Sequence, residues 1–172
     1  MSDPVTAIIV TYNGQQWIED CLDTLFNSDY PILDVVVVDN SSEDNTVKII
    51  KNKFSKVHLL EEKINHGFGK ANNIGIKYAM KELDPYYVFL LNQDTTIEQD
   101  TVSKLIEQLE AYPRFGIMSP LHFNDWGTDY DFLFKDYIKS IPEIATFPAS
   151  KPSKVFTLSF VNAAAWMIRV DA

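Results

Sequence analysis

The chain has 172 residues, enough for one domain of common size with a buried apolar core. Lys and Arg number 15 against 24 Asp and Glu, a formal charge of -9, which excludes a broad basic surface for a phosphate backbone and so nucleic acid as a partner. The single cysteine, Cys21, excludes an internal disulfide, no signal-peptide pattern precedes residue 5, and no apolar stretch approaches the ~18 residues that span a bilayer, which together point to a cytoplasmic setting.

Residues 5–10 are β-branched and nearly continuous, the pattern of a strand buried on both faces of a parallel sheet. After Thr11-Tyr12-Asn13-Gly14, the stripe of Trp17, Ile18, Cys21, Leu22, Leu25 and Phe26 predicts a helix that stops near Pro31. Residues 33–38 form a second buried strand, and Ser42 or Asp44 can cap a helix that runs through Lys53. Residues 57–60 make a short third strand. Ala71, Ile74, Ile76, Tyr78 and Ala79 mark a third helix, closed by Pro85. Residues 86–91 read as a fourth strand and 100–111 as a helix with Val102, Leu105, Ile106 and Leu109 inward. Periodicity fails over 121–154, which reads as an irregular, loop-rich segment within a single domain of residues 1–172. Two strand-like runs follow, 155–161 and 165–170, around Asn162-Ala163-Ala164. Alternating strands and helices predict an α/β fold with a mostly parallel sheet covered on both faces.

Ligands of open α/β sheets bind outside the carboxyl ends of the strands. Here those ends carry Thr11-Tyr12-Asn13, Asp39-Asn40-Ser41-Ser42, Asn65-His66-Gly67 and Asn92-Gln93-Asp94. Any one of these turns could owe its polar residues to capping and turn geometry alone. Four in register, two with carboxylates, favour a ligand site.

The run from Val5 to Asn13, followed by Val35 to Thr46, resembles the two opening motifs of family 2 glycosyltransferases in residues, order and spacing. Asn65-His66-Gly67-Phe68-Gly69-Lys70-Ala71-Asn72-Asn73-Ile74-Gly75 is similar to the third motif of the rhamnosyltransferase-like branch, and Phe89-Leu90-Leu91-Asn92-Gln93-Asp94-Thr95 to the metal motif. The ordered set covers roughly the first two thirds of the chain and is specific where each motif alone is weak. The resemblance implies a GT-A type, Rossmann-like fold and an enzyme that transfers a hexosyl or rhamnosyl unit from a nucleotide-diphosphate sugar to an acceptor hydroxyl.

It also implies roles. Asp39 would hydrogen-bond the nucleotide base, with helix capping as the alternative. Thr11 and Asn13 would line base and ribose; Tyr12 stands equally for a ligand contact or a core position. Gly67 would let backbone approach the ligand, Lys70 would offset diphosphate charge or lie solvated at the surface, and Asn40, Asn73, Asn92 and Gln93 would complete the nucleotide-sugar site. Asp94 would hold Mn²⁺ or Mg²⁺, or else cap its own turn. The family has a second carboxylate where this chain has Asn92, which implies weaker metal affinity. The Gly67-Phe68-Gly69 stretch follows the third strand and has Asn72 in place of a third glycine, which argues against a dinucleotide fingerprint. His58, His66 and His122 lack partners at zinc spacing, Cys21 reads as a core thiol, and Asp125, Asp129, Asp131 and Asp136 lack an EF-hand pattern.

The expected chemistry is metal-assisted, inverting transfer in polysaccharide or cell-surface glycan synthesis. The donor would be of UDP or dTDP type and the acceptor a glycan or a lipid-linked one, with any membrane contact peripheral, at the inner face. In the family the catalytic base lies in an acidic motif beyond the segment that Phe160 to Arg169 resembles. That places it past Ala172, and the chain reads as cut off at its C-terminus and inactive by itself. A non-catalytic nucleotide-sugar-binding domain and a nucleotidyltransferase are the alternatives; the latter would need a basic, glycine-rich triphosphate loop after the first strand, which is missing.

Overall fold

The computed structural model describes residues 3–31, 33–146 and 155–171. These fall into two compact units, one of residues 1–118 with 163–172 and one of residues 119–162. The first holds the strands β1 (Val5–Thr11), β2 (Leu33–Asp39), β3 (His58–Glu61), β4 (Tyr87–Asn92), β5 (Ile117–Met118) and β6 (Ala165–Arg169), with the helices α1 (Ile18–Phe26), α2 (Thr46–Lys53), α3 (Phe68–Glu82) and α4 (Thr101–Ala111). Its sheet runs in the order β3-β2-β1-β4-β6-β5, with β1 to β4 mutually parallel and β6 antiparallel to both β4 and β5. The mostly parallel α/β architecture expected from the sequence is therefore present.

Both faces of the central strands are buried, as their unbroken apolar runs require. Ile8, Val10, Val36, Val38, Val88 and Leu90 point to one face and pack with Ala71 and Ala79 of α3. Helix α3 lies close because Gly75 carries no Cβ; a methyl there would sit 2.6 Å from Ile8 Cγ2 and 3.1 Å from Val38 Cγ2. The alternate set, Ala7, Ile9, Val35, Val37, Tyr87 and Phe89, is equally buried. Ile18, Cys21, Leu22 and Leu25 of α1 and Val102, Leu105, Ile106 and Leu109 of α4 are buried too, whereas Trp17 and Phe26, at the two ends of the expected α1 stripe, are exposed. Each of the buried side chains contributes about 1.5–3 kcal/mol on leaving water. The hydroxyl of buried Tyr87 donates to Glu110 of α4, and Arg169 of β6 donates to the Leu109 carbonyl at 2.9 Å, which fixes α4 to the antiparallel edge.

The unit of residues 119–162 has its own small core of Tyr130, Phe134, Ile138 and Ile144. It contains a Phe123–Tyr130 bridge and a short helix, α5 (Phe132–Ile138), whose first N–H groups donate to the Asp131 carboxylate. Part of the segment expected to be irregular is thus ordered, while residues 147–154 of it lie outside the described residues. The strand expected at 155–161 is not formed. Phe156, Leu158 and Val161 instead pack against the small core, so the apolar run is satisfied by side-chain burial and has no ladder partner. Among the described residues no helix is long and apolar enough to cross a membrane.

Candidate functional site

In this strand order the chain winds outward from β1 through β2 to β3 and then returns to place β4 on the other side of β1. The reversal opens a crevice at the carboxyl ends of β1 and β4, where the crossover connections diverge. The register sets Thr11 opposite Asp39 and Val10 opposite Asn92, so the polar residues that end the three strands lie side by side.

Hydrogen bonds tie these ends into one row. Gln93 Oε1 accepts from the Thr11 hydroxyl at 2.6 Å and from Tyr12 N–H at 3.1 Å, while Gln93 Nε2 donates to the Tyr12 carbonyl at 3.4 Å. Thr11 is fully buried, and its carbonyl accepts from Asn40 N–H at 2.8 Å. The Asn40 amide is engaged at both ends, donating to Asn65 Oδ1 and accepting from His66 N–H, each at 2.8 Å. Asn65 Oδ1 also accepts from Gly67 N–H at 2.8 Å, and Gly67 has a φ of 76°, which a side chain would oppose. Asn13, with a φ of 49°, accepts from Glu43 N–H through its side chain, and its own N–H donates to Ser42 Oγ. Ser41 holds a φ of 74°, a conformation that costs a residue with a Cβ about 1–2 kcal/mol.

Two polar atoms in this row have no partner. Asp39 is 3% exposed; its Oδ2 accepts from Ser42 N–H at 3.1 Å, whereas its Oδ1 is buried without a hydrogen bond. Asn92 Oδ1 is likewise buried and unpartnered. A buried acceptor left unpaired costs about 1–3 kcal/mol, so both positions favour an incoming donor or cation. Asp94 is exposed and makes no hydrogen bond or ion pair among the described residues. Its charge reaches Cys21, whose thiol donates to the Asn92 carbonyl at 3.5 Å; burial first, and then the Asp94 carboxylate, push that thiol up to about 12.

The donor set fits a hard divalent cation. No group of three or more His, Cys, Asp or Glu side chains that could hold a metal occurs among the described residues. Mg²⁺-type ions need no such cage, since one or two protein oxygens and the phosphates of a ligand suffice. The Asp94 carboxylate and the unpartnered Asn92 Oδ1 are oxygens of that kind.

Of the residues expected at the site, Thr11, Tyr12, Asp39, Asn40, Asn92 and Gln93 are brought together at the β1, β2 and β4 ends. Tyr12 is 45% exposed and so takes no core position. Lys70 and Asn73 are exposed on the opening turns of α3. The N-cap of α2 is Asn45, without a side-chain cap bond, and Asp44 just before it accepts from Thr46 N–H and from its hydroxyl; burial pushes this carboxyl up, but those bonds and one from Gln15 N–H outweigh it and hold it below the ordinary carboxylate value. The sequence reading did not anticipate the cross-loop pairing of Gln15 with Asp44 and Asn45, beside an open depression of about 430 Å³ lined by Asn13, Gln15, Gln16, Glu43 and Asp44. Nor did it single out Gly14, where a Cβ would lie 2.2 Å from Gln93 Oε1. A glycine directly after a strand-end Asn was the available signal.

A mostly parallel sheet of this order, with polar residues at its switch point, is an open α/β ligand-binding domain, and it shares the GT-A fold of known glycosyltransferases. The solved structures agree: the mannosyltransferase PcManGT from Pyrobaculum calidifontis in complex with GDP-Man and Mn²⁺ has a TM-score of 0.61 at 28% identity, over 71% of this chain and 36% of that one. S. aureus TarS in complex with UDP-GlcNAc gives a TM-score of 0.55 at 27% identity, over 64% of this chain and 32% of that one. Residues 6–172 match the family described as Glycosyl transferase family 2, and the chain belongs to that family. It is also 30% identical over 118 residues to the poly-beta-1,6-N-acetyl-D-glucosamine synthase of Staphylococcus epidermidis, a match that covers 67% of this chain and 27% of the relative. The chain thus spans well under half the length of these relatives.

Proposed function

We propose that this chain binds a nucleoside-diphosphate sugar across the carboxyl ends of β1, β2 and β4 and provides the donor site for sugar transfer to an acceptor hydroxyl. The observation that carries the reading is the buried, unpartnered Oδ1 of Asp39 at the end of β2. An acceptor held dry at a strand end suits the ring N–H of a nucleotide base. The names of the similar structures, one with GDP-Man and Mn²⁺ and one with UDP-GlcNAc, support a nucleotide-sugar donor.

In this reading Asp39 orients the base, exposed Tyr12 walls the crevice over buried Thr11, and Gly67 brings backbone N–H groups at the start of α3 toward the diphosphate, with Lys70 adding positive charge. Asp94 and Asn92 would hold a divalent cation, which would supply positive charge against the departing diphosphate. Transfer forms a bond between the acceptor oxygen and the anomeric carbon, breaks the bond from that carbon to the diphosphate oxygen, and passes the hydroxyl proton to a base; we assign the base to none of the residues above. Rear-side attack on the anomeric carbon gives inversion.

Calorimetric titration with UDP, dTDP and GDP, with and without Mn²⁺, tests the donor site, and UDP-GlcNAc, GDP-mannose and dTDP-rhamnose then rank the sugar. Binding of one diphosphate that strengthens with Mn²⁺ and is lost in Asp39→Ala and Asp94→Ala is expected. Absence of binding to all three, in a folded chain, overturns the reading.

A further inference from the structure

Gln93 lies between Asn92 and Asp94, the two residues proposed above to hold the cation. Gln93 turns its amide back across the sheet, and its oxygen takes the Thr11 hydroxyl and the Tyr12 N–H, residues 82 and 81 positions away in sequence. Its nitrogen reaches the Tyr12 carbonyl, so both ends of one amide hold the turn that follows β1. Gly14 clears the space: a Cβ there would lie 2.2 Å from Gln93 Oε1 and 2.6 Å from Thr11 Oγ1. The same Thr11 accepts from Asn40 N–H at the end of β2, next to Asp39. A continuous chain of bonds therefore runs from the Asp39 turn through Thr11 to Gln93, and Gln93 is covalently joined to Asn92 and Asp94.

We propose that Gln93 is a positioning residue that preorganises the base-binding turns of β1 and β2 against the cation loop of β4, so that neither a nucleoside diphosphate nor a divalent cation has to order the two loops on binding. This rests on the donor-site reading above. The physical basis is preorganisation: a ligand that spans both loops must hold them at one separation, and a bridge already made removes that ordering cost from whichever ligand binds first, whereas without it the first ligand orders the loops for the second. Neither Thr11, which is buried, nor the Gln93 amide, which is occupied, needs to touch the ligand for this to operate.

The test measures UDP, dTDP and GDP affinity for the whole chain by calorimetry, with and without Mn²⁺, and Mn²⁺ affinity by electron paramagnetic resonance, with and without the diphosphate. Both are done for the native chain, Gln93→Leu, Thr11→Val and the double variant. Linkage requires that the two ligands enhance each other equally, and a coupling of about tenfold is ordinary for such pairs. The direct contact between cation and diphosphate is common to all four chains, so the expected result is that each ligand alone binds about tenfold more weakly to Gln93→Leu while the mutual enhancement grows, with a smaller change of the same kind in Thr11→Val and nothing further in the double variant. Thr11→Val is nearly isosteric and keeps the measurement available should Gln93→Leu fail to fold. A merely structural Gln93 would lower thermal stability and both affinities while leaving the mutual enhancement untouched, and that outcome overturns the inference alone. A native chain that binds diphosphate with no Mn²⁺ enhancement also overturns it, with the donor site intact. A native chain that binds none of the three diphosphates removes the functional reading and this inference together.

Discussion

Asp39 gives one carboxylate oxygen to Ser42 N–H at 3.1 Å and keeps the other buried and unpaired, so a single side chain both shapes its turn and presents a dry acceptor. Asp39→Asn separates the two tasks. The amide oxygen can retain the Ser42 bond, which turns the NH₂ toward the position that the free oxygen held. A base N–H would then meet a donor. Nucleotide affinity is expected to fall tenfold or more, about 1.4 kcal/mol or above, while the melting temperature stays within a few degrees or rises. Calorimetry and thermal unfolding on the same preparation check both halves.

Two glycines of α3 should respond in opposite directions. At Gly69 a Cβ meets nothing within 4 Å, so Gly69→Ala gains the helix preference of alanine, about 0.8–1 kcal/mol. At Gly75 the same gain is set against a methyl 2.6 Å from Ile8 Cγ2, in a face packed on the sheet. Overpacking costs about 1–3 kcal/mol and wins. Urea unfolding midpoints should rise for Gly69→Ala and fall for Gly75→Ala; a rise in both would mean that α3 can lift off β1 freely.

Strands β1, β2 and β4 were legible because each is a nearly continuous apolar run, as in Val35 to Val38, that ends at a polar turn, and short β3 was legible from Leu59 and Leu60 between two polar stretches. Their helices were legible from stripes such as Cys21, Leu22 and Leu25. Beyond residue 111 local pattern and tertiary outcome part. Strand β5 has two residues and exists only because β6 lies beside it, and α5 has seven, too few to show a period. Residues 155–161 carry strand composition but find a side-chain cluster in place of a ladder. At the site, the residue types were readable and their pairings were not. Nothing local to Gln93 announces that its amide will face Thr11, since that contact is created by the return of β4 to β1.

Gly14→Ala tests the packing under that contact. A methyl 2.2 Å from Gln93 Oε1 must displace the amide and its bonds to Thr11 and Tyr12, and the cost is expected at about 1–3 kcal/mol. Gln93→Ala alone loses the bonds without the clash. In the combined variant the clash with Gln93 is gone, so the two losses should add to less than their sum. Additive losses in denaturant unfolding would place the strain of Gly14→Ala elsewhere.

Cys21 offers a readout of how dry the floor of the site is. Its thiol is fully buried in α1, and burial followed by the nearby Asp94 charge raises it from 9.0 to about 12. The folded chain therefore holds the thiol proton more tightly than the unfolded chain does. Stability from this group is fully present below pH 9, where both states are protonated, and is lost as pH rises from 9 toward 12. The thiolate is the reactive form, so the folded chain should label negligibly with a disulfide reagent at pH 8 and promptly after denaturation. Cys21→Ala should cost stability at neutral pH through lost packing yet flatten the fall in stability between pH 9 and 11. Rapid labelling of the folded chain at pH 8, or an unchanged alkaline slope in Cys21→Ala, would show that water reaches the thiol beneath Asn92.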